Sequence, residues 1–148
     1  SSKDWKLYSP LTLAYLGDAV YEMVIRTICV KRSNMQTQKL HRKVTGYVSA
    51  KAQAKMMDAL IGELTEEEES IYRRGRNSKP YTKAKNASME EYLKATGFEA
   101  LMGYLYLTEQ FDRMAELLGK GLEQMGELAE AEGTSTDSQA LQEAENEK

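Results

Sequence analysis

Several residue types that define whole classes of proteins are scarce in this chain. Its 148 residues include one cysteine, Cys29, and one histidine, His41. A single cysteine excludes an intramolecular disulfide, and these two side chains are too few for a zinc site. Any bound metal should therefore be a hard cation held by carboxylates. Cys29 lies in the apolar run Met23–Val30, so we expect a buried thiol and a reducing, cytoplasmic setting.

Long hydrophobic runs and sheet-forming patterns are missing as well. No segment approaches the roughly 18 apolar residues of a membrane-spanning helix, and Ser1–Pro10 lacks a signal-peptide pattern. Proline occurs only at Pro10 and Pro80, and β-branched alternation is almost absent. Because 41% of the residues are hydrophobic, there is enough apolar material for a core. The sequence predicts one all-α domain over residues 1–132.

The net charge of -3 is unevenly distributed along the chain. The segment 133–148 holds four acidic residues and one basic residue: Asp137, Glu143, Glu145, Glu147 and Lys148. This acidic tail, which we expect to be disordered, has the net charge of the whole chain, so the rest is neutral. Within the neutral part, Lys39–Lys55 and Arg73–Lys85 are basic and contain no acidic residue. Local charge therefore favours an anionic partner such as a nucleic acid.

Apolar spacing and capping signals predict three helices in the first half. The first should begin at Pro10, with Ser9 as its cap, and run to about Val30. Its apolar face is predicted to consist of Leu13, Leu16, Val20, Val24 and Ile28. A second segment carries Leu40, Val44 and Val48. Ser49 should cap a third helix, ending at Gly62, whose apolar residues are Ala50, Ala54, Met57 and Ile61.

Thr65 and Glu68 have the spacing of a capping box for a fourth helix. The acidic run Glu66–Glu69 is compatible with a metal-binding cluster or with first-turn residues that favour the helix dipole, and we prefer the second interpretation. Gly75 should end this helix. A polar, basic loop is then expected over Arg76–Ala87.

Ser88 and Glu91 form a second capping box. The helix that follows should continue to about Leu107, and a last helix should span about Gln110–Ala131. Their predicted buried residues are Leu93, Phe98, Leu101, Met102, Leu105, Leu117, Leu118, Leu122, Met125 and Leu128.

Two places break the pattern of an ordinary amphipathic helix. Gly17 and Asp18 stand in the middle of the first helix, and Glu99 stands among apolar residues one turn before Gly103. A glycine inside a helix costs about 1 kcal/mol relative to alanine, so we expect another backbone to pass close to it. If the two glycine-bearing surfaces pack together, Asp18 and Glu99 meet and can bind Mg²⁺. The residues alone leave a second interpretation open, in which each carboxylate pairs with Arg26, Lys94 or a helix end.

Two segments resemble signature sequences of the ribonuclease III family. The first is Leu13-Ala14-Tyr15-Leu16-Gly17-Asp18-Ala19-Val20, which is similar to the family's Leu-Glu-Phe-Leu-Gly-Asp-Ala pattern. The second is Phe98-Glu99-Ala100-Leu101-Met102-Gly103-Tyr104-Leu105-Tyr106-Leu107, which is similar to its second acidic helix. Together with Arg74–Lys79, the chain resembles the short bacterial form that has the nuclease domain and no double-stranded RNA-binding domain. The resemblance covers roughly Pro10–Leu128.

The resemblance implies a helical, homodimeric endonuclease domain that cuts double-stranded RNA. Asp18 and Glu99 are implied to be the catalytic ligands of Mg²⁺, with Mn²⁺ able to substitute. A metal-activated water would cut each strand and leave a 5′ phosphate. The short bacterial form is implied to mature the large-subunit (23S) ribosomal RNA precursor. The wider family has further acids where this chain has Leu11, Ala14 and Thr96, so only Asp18 and Glu99 carry over.

Duplex RNA is recognised mostly through phosphates and 2′-hydroxyls, which basic side chains, amides and helix N-termini contact. The two basic stretches supply the candidate RNA-binding residues, which are His41, Arg42, Lys43, Ser49, Lys51, Arg73, Arg74, Arg76, Asn77, Ser78, Lys79, Lys83 and Lys85. Two other functions compete with an endoribonuclease. One is a non-catalytic factor that binds ribosomal RNA, and the other is a helical nucleotide pyrophosphohydrolase, which usually needs more acids facing its site.

Overall fold

The computed structural model describes residues 4–32, 34–78 and 87–126, and the part it describes contains helices and no strands. The helices are α1 (Pro10–Arg32), α2 (Thr37–Val48), α3 (Ala50–Leu60), α4 (Glu66–Arg76) and α5 (Met89–Leu107). Residues 111–126 form a further helix, α6. Two short 3-10 helices cover Asp4–Leu7 and Ile61–Glu63. The predicted all-α fold is confirmed.

Capping side chains begin the helices where the sequence predicts. Ser9 Oγ accepts a hydrogen bond from the Thr12 amide at 3.2 Å, and Ser49 Oγ does the same for Ala52 at 3.2 Å. Both predicted capping boxes are present, at Thr65 with Glu68 and at Ser88 with Glu91. These local hydrogen bonds satisfy amides that would otherwise lack a helical partner.

Helix α5 is the centre of the fold. It packs against α1, α3 and α4, and its residues from Ala95 to Leu105 are buried except for Glu99. The apolar core around it includes Tyr21, Met56, Leu60 and Leu117, none of which has an exposed side chain. Tyr21 meets the Phe98 ring edge-on at 4.9 Å. Because this part of α5 is surrounded, a polar residue between Ala95 and Leu105 lies against a neighbouring helix.

Three predictions of local structure are wrong. The buried face of α1 consists of Leu13, Ala14, Gly17, Tyr21, Ile25 and Cys29, whereas Leu16, Val20, Val24 and Ile28 are half-buried. The face was misplaced because α1 is apolar on two sides. Ile61 is exposed, since it lies after the last turn of α3. Gly75 lies inside α4 rather than at its end, for a reason described below.

Other predictions are confirmed or lie beyond the described residues. Cys29 is buried, and burial raises the pKa of its thiol, as expected for an unreactive cysteine. No helix in the described part of the chain is long and apolar enough to cross a membrane. The predicted loop residues 79–86, the end of the last helix and the acidic tail 133–148 lie outside the described residues.

Candidate metal site and RNA-binding surface

Helices α1 and α5 cross with their backbones in direct contact. A methyl group placed on Gly17 would overlap the Glu99 carbonyl oxygen and would lie 2.8 Å from the Gly103 amide nitrogen. A methyl group on Gly103 would likewise overlap the Leu13 carbonyl oxygen. The prediction that another backbone passes close to Gly17 is therefore confirmed. The approach is possible because both helices have a glycine, with no Cβ, at the contact.

This crossing brings the two predicted carboxylates together. Asp18 follows Gly17 on α1, and its side chain forms a hydrogen-bonding contact with Glu99 of α5. Burial, together with the neighbouring Asp18, raises the pKa of Glu99 to about 8. A hydrogen bond between two carboxyl groups requires a proton on one of them, and the raised pKa of Glu99 favours a pair that retains this proton.

No cationic side chain of the described residues neutralises this pair. In residues 4–32, 34–78 and 87–126, no lysine or arginine forms a salt bridge with Asp18 or Glu99. Lys94 instead pairs with Asp58 at 2.8 Å and Glu90 at 3.4 Å, and Arg26 pairs with Glu22 at 3.3 Å. The interpretation in which Arg26 or Lys94 pairs with the two carboxylates is therefore wrong.

Two adjacent carboxylates, one of them largely desolvated, without a cationic partner among the described residues fit a divalent cation. A hard cation such as Mg²⁺ is commonly bound by one or two carboxylates together with waters and substrate phosphates. Asp18 is exposed and Glu99 is half-buried, so one side of the pair is open to solvent and substrate. The residues present therefore suit a divalent cation that also contacts a phosphodiester.

The positions that are acidic in the wider family contribute nothing to this site. Ala14 is buried in the core, and Leu11 is half-buried on α1. Thr96 is also buried, and its hydroxyl donates to the Tyr92 carbonyl at 3.0 Å. Accordingly, the described residues contain no group of three acidic, histidine or cysteine side chains that could hold a metal.

A second close crossing joins the basic end of α4 to α5. A methyl group on Gly75 would lie 2.8 Å from the Ala100 Cβ and 2.9 Å from the Gly97 Cα. Gly75 is thus a contact residue inside α4. The α5 residues that it contacts lie within one helical turn of Glu99 in the sequence. The sequence carried a signal for this contact, since Gly97 and Ala100 are small residues one turn apart, but it was not recognised.

The basic residues at this end of α4 project from the crossing. Arg73, Arg74, Arg76 and Asn77 are exposed, and Ser78 is half-buried with its hydroxyl donating to the Arg74 carbonyl at 2.8 Å. The Arg76 guanidinium lies 6.0 Å from the centre of the buried Tyr72 ring and forms a hydrogen-bonding contact with that side chain. Tyr72, which sequence reasoning missed, therefore restricts the orientation of Arg76.

The other predicted RNA-binding residues occupy α2 and the start of α3. His41 and Arg42 are exposed in the middle of α2, Lys43 is half-buried, and Ser49 and Lys51 stand at the exposed start of α3. Only Ser49 and Lys51 are near a helix N-terminus. The remaining candidates, Lys79, Lys83 and Lys85, lie outside the described residues.

Comparisons with known proteins identify the family that this chain resembles. The family model of the Ribonuclease III domain matches residues 11–110. The chain is 52% identical over 130 residues to Mini-ribonuclease 3 of Enterococcus faecalis, a match that covers 86% of this chain and 98% of the relative. It is 48% identical to the Mini-ribonuclease 3 of Streptococcus pneumoniae over 117 residues, 78% of this chain and 91% of the relative.

A solved structure is similar over the same region. A crystal structure of a Fusobacterium nucleatum protein superimposes with a TM-score of 0.74 and is 30% identical in sequence. The match covers 83% of this chain and 98% of that one.

Proposed function

Since the chain belongs to the ribonuclease III family, within its Mini-ribonuclease 3 group, and is thus an endoribonuclease, we propose that it cuts double-stranded RNA in a Mg²⁺-dependent reaction. The observation that carries this proposal is the contact between Asp18 and Glu99, two carboxylates that no described cation neutralises. When bound there, Mg²⁺ (or Mn²⁺ in its place) would activate water and stabilise charge that develops on a phosphate.

The chain's own residues hold and tune this site. Asp18 and Glu99 would hold the cation, and the backbone contact at Gly17 fixes the distance between the helices that carry them. The raised pKa of Glu99 means that the cation must displace a proton from the pair. Cation binding should therefore strengthen as the pH rises through about 8, because the carboxylates must ionise to bind.

The exposed basic residues supply the RNA contacts. Arg73, Arg74 and Arg76 project from the end of α4 that packs within one turn of Glu99. Arginine and lysine side chains that face phosphates bind duplex RNA by its backbone and shape, without reading sequence. This supports a substrate whose phosphates lie across the α4 end and the carboxylate pair at once. Residues of α2 and α3, led by Arg42 and Lys51, extend the proposed contact surface.

We also propose that the active form is a homodimer. Helix α1 exposes large apolar side chains, with Tyr15 85%, Met23 68% and Val30 59% accessible, beside the half-buried Leu16 and Val20. Exposed apolar residues grouped on one helix commonly mark an interaction surface. Because Tyr15 lies only three residues before Asp18, a dimer formed through this face would bring two carboxylate pairs near one another, one for each RNA strand.

The proposed natural substrate is the precursor of the large-subunit (23S) ribosomal RNA, cut in the cytoplasm to leave 5′-phosphate ends. This proposal is supported by the likeness to the Mini-ribonuclease 3 group and by a basic surface that suits an RNA duplex. A factor of the same fold that binds ribosomal RNA without cutting it is the alternative that the following experiment separates.

The test is to incubate the protein with end-labelled precursor duplex in Mg²⁺ or in chelator. Asp18→Asn and Glu99→Gln are compared with the parent and with Glu90→Gln, whose exposed carboxylate pairs with Lys94. We expect the two site variants to lose at least 100-fold in cleavage rate while Glu90→Gln keeps it, with folding checked by circular dichroism. Binding without cleavage by the parent would favour the non-catalytic factor.

A further inference from the structure

Two buried polar side chains hold the end of helix α2. The carbonyl oxygens of its last two residues, Tyr47 and Val48, have no amide partner within the helix, as is usual at a helix C-terminus. The Tyr21 hydroxyl of α1 donates to the Tyr47 carbonyl at 3.0 Å. The Gln53 amide Nε2 of α3 donates to the Val48 carbonyl at 3.2 Å. The end of α2 is therefore tied to both α1 and α3 by side chains of the core.

Gln53 carries an energetic cost in this position. Its side chain is only 2% exposed, and among the described residues nothing donates to its buried Oε1. A buried acceptor without a donor destabilises the folded state. A methionine of similar size would fill the space without that cost. The favourable contribution of the Gln53 amide is therefore its bond to the Val48 carbonyl.

Tyr21 connects the end of α2 with the carboxylate pair. It lies three residues after Asp18 on α1. Its fully buried ring meets the ring of Phe98, the residue before Glu99 on α5. Burial raises the pKa of its hydroxyl above the usual range, so the hydroxyl keeps its proton and remains a donor. One residue thus belongs to α1, contacts α5 and holds the end of α2.

The junction between α2 and α3 presents a cation to solvent. Helix α2 ends at Val48 and α3 begins at Ala50, with Ser49 between them as the cap of α3. Lys51, in the first turn of α3, is exposed. Because Lys51 follows Val48 by three residues across a capped turn, the direction in which it projects depends on how the Val48 carbonyl is held.

We propose that Tyr21 and Gln53 are positioning residues, which hold the α2–α3 junction at a fixed distance from the carboxylate pair so that Lys51 contacts a phosphate of bound duplex RNA. This inference rests on the proposed function and adds to it two residues that do not touch RNA themselves. An RNA duplex is recognised by its shape and by regularly spaced phosphates. A cation therefore contributes fully only when the protein holds it in register with them.

The test measures how the affinity for a labelled RNA duplex depends on salt, in chelator so that the RNA is not cut. Each phosphate that a lysine or arginine neutralises adds about 0.7–0.9 to the slope of log affinity against log salt concentration. We expect Lys51→Gln to lower this slope by about 1. Gln53→Met and Tyr21→Phe should each lower it by about 0.5–1, although neither variant removes a charge. The double variant Gln53→Met with Lys51→Gln should have the slope of Lys51→Gln alone, because the contact can be lost only once.

The matched control is Tyr104→Phe. Tyr104 is also buried, and its hydroxyl forms hydrogen-bonding contacts with Gln110 and Glu67 rather than with α2. This variant should bind RNA with the affinity and the salt slope of the parent. Circular dichroism at the assay temperature verifies that every variant is folded.

Three results would contradict the inference. If Gln53→Met and Tyr21→Phe weaken binding with an unchanged salt slope, their role is merely structural and the inference fails. It also fails if Lys51→Gln keeps the slope of the parent. In both cases cleavage of the duplex by the parent would leave the proposed function standing. A parent that neither binds nor cuts the duplex would refute the proposed function and the inference with it.

Discussion

Two glutamates of this protein lie against neighbouring helices, and their pKa values are shifted in opposite directions. Glu68 of α4 is almost fully buried, and both of its carboxylate oxygens accept hydrogen bonds from Arg113 of α6 at 2.9 Å. Burial acts to raise its pKa, but the bonds from Arg113 and from the Thr65 amide outweigh burial and lower it. Glu99 of α5 is half-buried against Asp18, and its pKa is raised to about 8.

The two carboxylates differ in what compensates their charge. Arg113 also donates to the Glu63 carbonyl at 2.8 Å, so the Glu68 region is complete without any ligand. The Glu99 region lacks such a partner among the described residues and becomes favourable only when a proton or a cation is added. Both regions lie at helix ends or helix crossings. In the described part of the chain, only the Glu99 region needs a bound proton or cation to compensate its charge.

The largest effect is expected where α1 meets α5. Gly17→Ala places a methyl group against the backbone of Glu99, which cannot rotate away as a side chain would. We expect a loss of about 3 kcal/mol or more in the free energy of unfolding, measured by urea denaturation. The matched control is Gly46→Ala, because a Cβ at Gly46 of α2 meets nothing within 4 Å. That variant should be slightly more stable than the parent. Equal stability of both variants would show that the two helices are not in backbone contact.

The next effect tests the compensated glutamate. Glu68→Gln keeps the shape of the side chain but removes the buried anionic partner of the Arg113 guanidinium, which keeps only the exposed Glu116. Since Arg113 is partly accessible to solvent, we expect a loss of about 2 kcal/mol. Glu99→Gln should show no such loss at pH 8, because it removes a repulsion with Asp18. If chemical denaturation gave equal losses for the two variants, the contrast between the two regions would be refuted.

The pH dependence of stability should also separate the two regions. In the unfolded chain the pKa of Glu99 is near its ordinary value of 4.5, and in the folded chain burial and Asp18 raise it to about 8. Between these values the folded state holds a proton that the unfolded state has released, so stability falls as the pH rises. In chelator, the melting temperature of the parent should drop by a few degrees more than that of Glu99→Gln between pH 5 and 8.5. Parallel curves would contradict the raised pKa, and Mg²⁺ should restore the parent at high pH.

The smallest effect on stability is expected in the turn that joins α5 to α6. Glu109 has a φ of 56°, in the left-handed region that favours glycine. The Gln110 amide donates to the Leu105 carbonyl at 2.8 Å, as in a helix C-terminal motif that usually contains glycine. Glu109→Gly should therefore stabilise the protein by about 0.5–1 kcal/mol and leave cleavage unchanged. A lower melting temperature would show that the Glu109 side chain contributes a contact of its own.

Local physical chemistry made much of the fold predictable. The starts of α1, α3, α4 and α5 follow from serine and threonine caps, and these act within four residues, so no distant contact is needed to predict them. The pairing of Asp18 with Glu99 was also predictable, from a glycine next to one carboxylate, a glycine one turn after the other, and the resemblance to a known family.

The remaining features depend on which helices become neighbours. Apolar periodicity shows that α1 has hydrophobic residues but not which of its two apolar sides meets α5. The buried residues Tyr21, Ile25 and Cys29 were therefore missed. Val20, Val24 and Ile28, which are half-buried, were wrongly assigned to the buried face. From its local sequence Gly75 was predicted to end a helix, but in the structure it contacts Gly97 and Ala100 of α5. The sequence by itself determined helix starts and the identity of the two carboxylates, because these depend on near neighbours and on motifs. Only the tertiary structure decided that Glu68 has a cationic partner and that Glu99 has none in the part of the chain that the structure describes, because Arg113 lies 45 residues from Glu68 along the chain and reaches it only through packing.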